Sequence, residues 1–252
     1  MRPRFHVRPD HGWLNDPNGV IVVDGRYHVF YQHNPAEAAW GDIHWAHVWS
    51  TDLVRWHTEP IALAPEAGTA DEDGCWSGCA VIGPDGPVVL YTGRRGEEER
   101  VCIAHGDPQL IRWRKDPSKP VLFPPAGMGL TDFRDPRVWR DADGWQMAIG
   151  AGFDDGAGGV LRFRSDDLVA WELVGPLITG PASAPGTPPG RREVWECPDL
   201  FELPIEGEPG ATAWVLSVGM GSGSVAGGSG DEYFVGSFDG TRFVADVADA
   251  RF

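Results

Sequence analysis

The chain has 252 residues, of which 42% are hydrophobic, enough apolar side chain for a large packed core and too much for a disordered tail. Its 37 acidic against 21 basic residues leave a net charge of -16, which argues against nucleic acid or an anionic membrane as partner and leaves solubility as the plain reading. With 34 Gly, 22 Pro and 12 Trp, the composition points to many short strands joined by turns, and to aromatic faces suited to a core or to sugar rings.

Residues 1–9 lack the apolar stretch of a signal peptide and no long apolar run follows, so a cytoplasmic location is expected, with Cys75, Cys79, Cys102 and Cys197 as reduced thiols. The first predicted hairpin joins residues 20–23 to 26–32 through Asp24-Gly25, and its segment closes on Ser50-Thr51-Asp52-Leu53-Val54-Arg55-Trp56. The second joins 80–83 to 88–92 around Asp85-Gly86 and closes on a weaker copy of that pattern ending in Leu110-Ile111-Arg112-Trp113. The third joins 138–140 to 145–149 around Asp143-Gly144 and closes on Ser165-Asp166-Asp167-Leu168-Val169-Ala170-Trp171. The closing tryptophans are 57 and 58 residues apart, and the Asp-Gly pairs 61 and 58. Two markers in phase predict the blades of a β-propeller rather than a sandwich. A fourth unit begins near Glu196, with a hairpin over 200–203 and 213–218, then a strand over 233–238 ending at Asp239-Gly240. Residues 181–192 read as a Pro/Gly-rich connection. Residues 219–230 are Gly/Ser-rich without the Lys-Ser/Thr of a phosphate loop, hence a flexible connection rather than a nucleotide site.

Counting back eight residues from the Asp-Gly pairs reaches Asp16, Ser77 and Asp135. Asp16-Pro17 and Asp135-Pro136 share a dipeptide, and aligning the prolines brings Pro198 into register beside Glu196. These positions are expected on the first strands of successive blades, which line a propeller's channel, so the three acids are expected to share one funnel. Clustered carboxylates repel unless a metal or a reaction uses them. Three such oxygens could hold Ca²⁺, but Trp13, Asn15 and Arg134 beside them favour glycoside hydrolysis. That reaction needs one carboxylate to attack or to activate water and one acid to protonate the leaving oxygen. Taken alone, Asn15-Asp16-Pro17-Asn18-Gly19 is a good turn sequence, and only the shared phase raises it above that. His44 and His47, three apart on a strand, face opposite sides and read as structural. Cys197 reads as a packed thiol.

Trp13-Leu14-Asn15-Asp16-Pro17-Asn18-Gly19, Phe133-Arg134-Asp135-Pro136 and Glu196-Cys197-Pro198 resemble the three motifs of glycoside hydrolase family 32, the family of invertases, levanases, inulinases and sucrose-phosphate hydrolases. Phe30-Tyr31-Gln32-His33-Asn34-Pro35, Trp40-Gly41, His44-Trp45 and Trp76-Ser77-Gly78 support the resemblance, which runs from His6 to about Phe243. It implies a five-bladed propeller, retention of anomeric configuration, and neither metal nor cofactor. It further implies Asp16 as nucleophile, Glu196 as acid/base and Asp135 as the group that holds fructose hydroxyls. Asn15, Gln32, Trp40, Trp76, Ser77 and Arg134 match positions that line the fructose pocket. Trp76 stands where the family commonly has Phe. About four blades are expected in residues 1–252, an incomplete propeller catalytic domain without the family's fifth blade and β-sandwich. An open propeller edge would then favour self-association or a complementing C-terminal fragment. The expected activity is release of fructose from sucrose or short fructans. Transfructosylation by the same residues and a truncated fructan-binding remnant are the alternatives.

Overall fold

The computed structural model describes residues 5–115, 120–180, 193–221 and 229–246. The connection read over 181–192 lies outside them, as does most of the Gly/Ser-rich stretch. Every regular element among the described residues is a strand. The first sheet takes β1 (Trp13–Val23), β2 (Arg26–Asn34), β3 (His44–Ser50) and β4 (His57–Leu63). The second takes β5 (Gly74–Gly83), β6 (Gly86–Arg95), β7 (Glu98–Gly106) and β8 (Trp113–Lys115). The third takes β9 (Leu130–Asp141), β10 (Gly144–Phe153), β11 (Gly158–Ser165) and β12 (Glu172–Thr179). The fourth takes β13 (Trp195–Pro204), β14 (Thr212–Met220), β15 (Gly230–Phe238) and β16 (Phe243–Ala245). Each sheet is an antiparallel meander with its strands in sequence order, the form of a propeller blade.

Second strands are continuous apolar runs because both of their faces are covered. Val88-Val89-Leu90-Tyr91 of β6 and Met147-Ala148-Ile149 of β10 are buried throughout. Fourth strands such as β4 and β12 are largely exposed, as befits an outer edge. First strands occupy the opposite edge of each sheet, where the repeat predicts them.

The chain divides into two compact units, Met1–Phe123 and Pro124–Phe252. In the first, sheets one and two close on a core of Phe30, Trp45, Cys75, Ala80, Val89, Tyr91 and Leu110. Gly19 sits inside this packing at φ +53, and a Cβ there would meet the Phe30 ring at 2.8 Å, so no larger residue fits. In the second unit, sheets three and four close on Ala148, Val160, Leu177, Trp195, Leu216, Val218 and Phe234.

Two repeated devices shape the blades. The loop at Asp24-Gly25 has both residues at positive φ, 49° and 73°, as a type I′ hairpin requires. In sheets two and three the two-residue loop lies one position earlier, so Gly86 and Gly144 open the second strands. The closing motif is a hydrogen-bonded turn. Ser50 Oγ accepts the amides of Asp52 and Leu53, and Asp52 Oδ1 accepts those of Val54 and Arg55. Ser165 and Asp167 repeat all four bonds. Leu53, Leu110 and Leu168 all take left-handed backbone, at φ 59°, 60° and 68°. Trp113 and Trp171 each donate Nε1–H to the carbonyl of the preceding Leu110 and Leu168 at 3.0 Å.

Candidate active site

Asp16, Ser77, Asp135 and Glu196 all stand on first strands, β1, β5, β9 and β13. Each lies at or against a break in strand register: Leu14 to Pro17, Trp76 to Gly78, Arg134 to Arg137, and Glu196 to Asp199. A bulge turns a side chain out of the regular alternation and leaves a polar group free to face away from the ladder. Asp135 pays for its place with left-handed backbone at φ 64°, a conformation that Asp tolerates better than most residues.

In the first unit, the Ser77 hydroxyl donates to Asp16 Oδ2 at 2.7 Å. Ser77 is buried, and its own carbonyl accepts from Thr92 Oγ1 at 3.1 Å. The amide of Gly78 donates to Asn18 Oδ1 at 3.3 Å, so β1 and β5 are stitched together on both sides of Asp16. Asn15 is half-buried, with Oδ1 accepting from Trp13 Nε1 at 2.7 Å. Gln32 is buried and its amide donates to the Cys75 carbonyl at 3.1 Å. Trp40 is 57% exposed and meets the Trp76 ring edge-to-face, with centroids 5.6 Å apart. On the backbone of Trp76, the carbonyl takes a hydrogen bond from Trp45 Nε1 at 3.0 Å, and the Arg94 guanidinium lies 4.9 Å from the Trp76 ring centroid. The exposed Trp40 ring against the half-buried Trp76 thus forms an aromatic rim, a surface that suits the apolar face of a sugar.

In the second unit, Arg134 places Nε and Nη2 on a single oxygen of Glu196, Oε1, at 3.1 and 3.0 Å. Its Nη1 goes to Asp132 Oδ1 at 2.7 Å. Asp135 is buried, and its Oδ2 accepts the backbone amide of Cys197 at 3.0 Å. Beyond the bulges, Arg137 Nε donates to Asp199 Oδ1 at 2.6 Å. Strands β9 and β13 are therefore cross-linked by polar contacts between residues 62 apart, among them Arg134 to Glu196, Asp135 to Cys197 and Arg137 to Asp199.

The packed position expected for Cys197 is not what the fold gives it. Cys197 is exposed, with Sγ 3.6 Å from Asp135 Oδ2, because its backbone is left-handed at φ 46° and turns the side chain out of the sheet. The other three cysteines are buried thiols in no disulfide. The histidines follow the structural reading: His47 is buried and stacked on Phe30 at 4.3 Å, while His44 bonds the Asp42 carbonyl at 2.7 Å. Asp132, Arg137 and Asp199 escape the sequence reading altogether. The charged residues near Pro136 and Pro198 are visible in the sequence, but pairing them needs the packing of β9 against β13.

The model of the glycosyl hydrolases family 32 N-terminal domain matches residues 6–251. The chain belongs to glycosyl hydrolase family 32. It is 40% identical over 256 residues to the levanase of Bacillus subtilis (strain 168), covering 96% of this chain and 35% of that protein. It is 40% identical over 210 residues to a sucrose-6-phosphate hydrolase of Escherichia coli, covering 80% and 41%. Among solved structures, the fructan 1-exohydrolase IIa of Cichorium intybus matches with a TM-score of 0.81 at 33% identity, over 96% of this chain and 45% of that one. The exo-inulinase of Aspergillus awamori matches with a TM-score of 0.81 at 32% identity, over 99% and 52%. The fold class is therefore the all-β propeller of these fructosidases, with four blades in this chain. The chain spans about two fifths or less of the length of those two curated relatives.

Proposed function

We propose that this family 32 chain carries the active site of a retaining hydrolase that releases fructose from β-fructofuranosides such as sucrose or short fructans. The observation that carries the reading is the way each acid is held. Asp16 and Glu196 each sit at a first-strand bulge with a dedicated donor on one carboxylate oxygen, Ser77 on Asp16 and Arg134 on Glu196. A carboxylate oriented by a donor on one oxygen presents the other in a fixed direction, as nucleophilic and acid–base chemistry requires.

In this reading Asp16 attacks the anomeric carbon of the fructosyl unit while protonated Glu196 gives its proton to the departing oxygen. Water, deprotonated by Glu196, then releases fructose from Asp16 and restores both groups. The transition state is oxocarbenium-like, so the negative charge of Asp16 and Asp135 opposes the developing positive charge. Asp135 holds fructose hydroxyls, with Asn15, Gln32 and Arg134 as further polar contacts and Trp40 and Trp76 as apolar walls. The relatives' names support a fructosyl substrate: a levanase and a sucrose-6-phosphate hydrolase. A sucrose:sucrose 1-fructosyltransferase of Festuca arundinacea, 40% identical over 214 residues, keeps transfer to a second sugar as the competing outcome.

The test is to incubate the purified chain with sucrose, levan and short inulins and to measure free fructose and longer oligosaccharides. Free fructose at every sucrose concentration supports the hydrolase, and kestose-type products at high sucrose support transfer. No product from any of the three, by a chain shown to be folded, leaves only the fructan-binding remnant.

A further inference from the structure

A transverse row of sheet two ends beside one of the rim tryptophans. Gly74 on β5, Arg94 on β6 and Glu99 on β7 stand opposite one another in register, so their side-chain positions share one face of the sheet. Trp76, two residues beyond Gly74 on the same unbroken register, shares that face. Its indole leans back over the glycine: a Cβ on Gly74 would lie 2.7 Å from Trp76 Nε1 and 2.8 Å from its Cδ1. The guanidinium carbon of Arg94 lies 4.9 Å from the ring centroid, and Trp40 meets the same ring edge-to-face.

Arg94 is itself braced. Its Nη1 donates to Glu99 Oε1 at 2.9 Å, and the Glu99 side chain is only 4% exposed. The Glu97 carboxylate, 3.3 Å from Nη2, is fully exposed and such a contact adds little. A buried carboxylate instead requires a positive partner. Because a guanidinium is planar, pairing its edge with Glu99 leaves a flat face for an aromatic ring.

The geometry points to Arg94 as a positioning residue for substrate binding: braced by Glu99, it helps to hold the Trp76 indole over Gly74 and against Trp40, so that the aromatic wall is set before a sugar arrives. This rests on the fructosidase reading, in which Trp40 and Trp76 wall the sugar. Trp76 has other neighbours, and the Trp45 bond to its carbonyl is one. That bond fixes the backbone, whereas Arg94 and Trp40 bear on the ring. A wall that meets the sugar alike in the ground state and in the transition state acts on KM and little on kcat. Loosening the indole therefore raises KM, since its order must then be imposed on binding.

The experiment compares Arg94→Met, Arg94→Lys and the double variant Arg94→Met/Glu99→Gln in the full chain, with thermal unfolding to show that they fold. The double variant leaves no buried carboxylate opposite a neutral side chain, so it serves where Arg94→Met alone does not fold. The substrate is the better cleaved of sucrose and 1-kestose. Arg94→Met raises KM about 3- to 10-fold and changes kcat less than about twofold, and the double variant does the same. Arg94→Lys, which keeps the charge without the flat face, falls between the wild type and Arg94→Met. A fall in kcat with KM unchanged is the mark of a lower folded fraction and overturns the inference. The second arm repeats Arg94→Met in a Trp76→Ala chain, where KM rises no further because there is no ring left to hold. Should Trp76→Ala turn over too slowly to assay, the same cycle is read calorimetrically on the Kd of that sugar in an Asp16→Asn background. An equal weakening with and without Trp76 overturns the inference while the fructosidase reading stands. A folded wild-type chain that releases fructose from neither sugar removes that reading and the inference with it.

Discussion

The buried Ser77 hydroxyl donates to Asp16 Oδ2 at 2.7 Å and helps to orient it, and two substitutions separate the charge of Asp16 from its placement. Asp16→Asn keeps the shape and removes the attacking charge, so turnover of sucrose should fall more than about a thousandfold, roughly 4 kcal/mol of barrier. Steady-state kinetics decide this, and near-normal turnover would remove Asp16 as the nucleophile. Ser77→Ala leaves the charge and removes its support. The expected loss in kcat/KM is about tenfold, the scale of a lost hydrogen bond to a charged group. Its folding should change little, because the Thr92 bond goes to the Ser77 backbone carbonyl and survives the substitution. The equivalence of Asp16, Ser77 and Asp135 was legible from the shared eight-residue offset, since a first strand and its turn move together through a repeat. The exposure of Cys197 was not legible, because a left-handed φ at a non-glycine residue leaves no mark in the sequence.

At the scale of the element, the closing turns show a conserved shape doing different jobs. Leu53 and Leu168 share the left-handed backbone, but Leu53 is 52% exposed and Leu168 is 2% exposed. Glycine relieves the backbone at either site and removes packing only at the second. Leu53→Gly should therefore stay within about 1 kcal/mol of wild-type stability, whereas Leu168→Gly should lose about 2–4 kcal/mol, as read by urea unfolding. Equal effects would mean that the turn, not the packing, sets the cost. The recurrence of Leu before Trp was visible in the sequence. Its geometric reason, an indole N–H reaching the carbonyl of a left-handed residue three positions earlier, was not.

For the molecule as a whole, acid stability is set in the first unit by a buried histidine pair. His28 Nδ1 and His47 Nε2 lie 3.0 Å apart, and His47 Nδ1 has no partner. Burial, and then His28, hold His47 down at about 3. Burial also lowers His28, helped by Arg26 and opposed by Glu59. The unfolded chain takes up protons near pH 6.5 that the folded pair refuses, so it binds more protons throughout the window below. The His47 contribution is full above about pH 6.5 and falls as the pH drops toward 3, by up to about 1.4 kcal/mol per pH unit, and the lowered His28 adds to the fall in the same direction. Unfolding midpoints measured from pH 7 to pH 4 should show this slope, and His47→Gln should flatten it. A slope unchanged in that variant would place the acid sensitivity in the carboxylates instead.

The sequence by itself determined the blades, their phase and the acids carried on their first strands. A 58-residue repeat expresses hairpin turns, apolar runs and closing tryptophans, all of which are local. It also determined the family, through three motifs whose order and spacing need no coordinates. Only the tertiary structure decided which donors hold those acids. Ser77 reaches Asp16 across 61 residues, and Arg134 reaches Glu196 across 62, distances closed by the packing of one sheet on the next. Such choices are made by bulges and by contacts between sheets, where single ångströms decide which oxygen is taken, and a one-dimensional pattern has no coordinate for that.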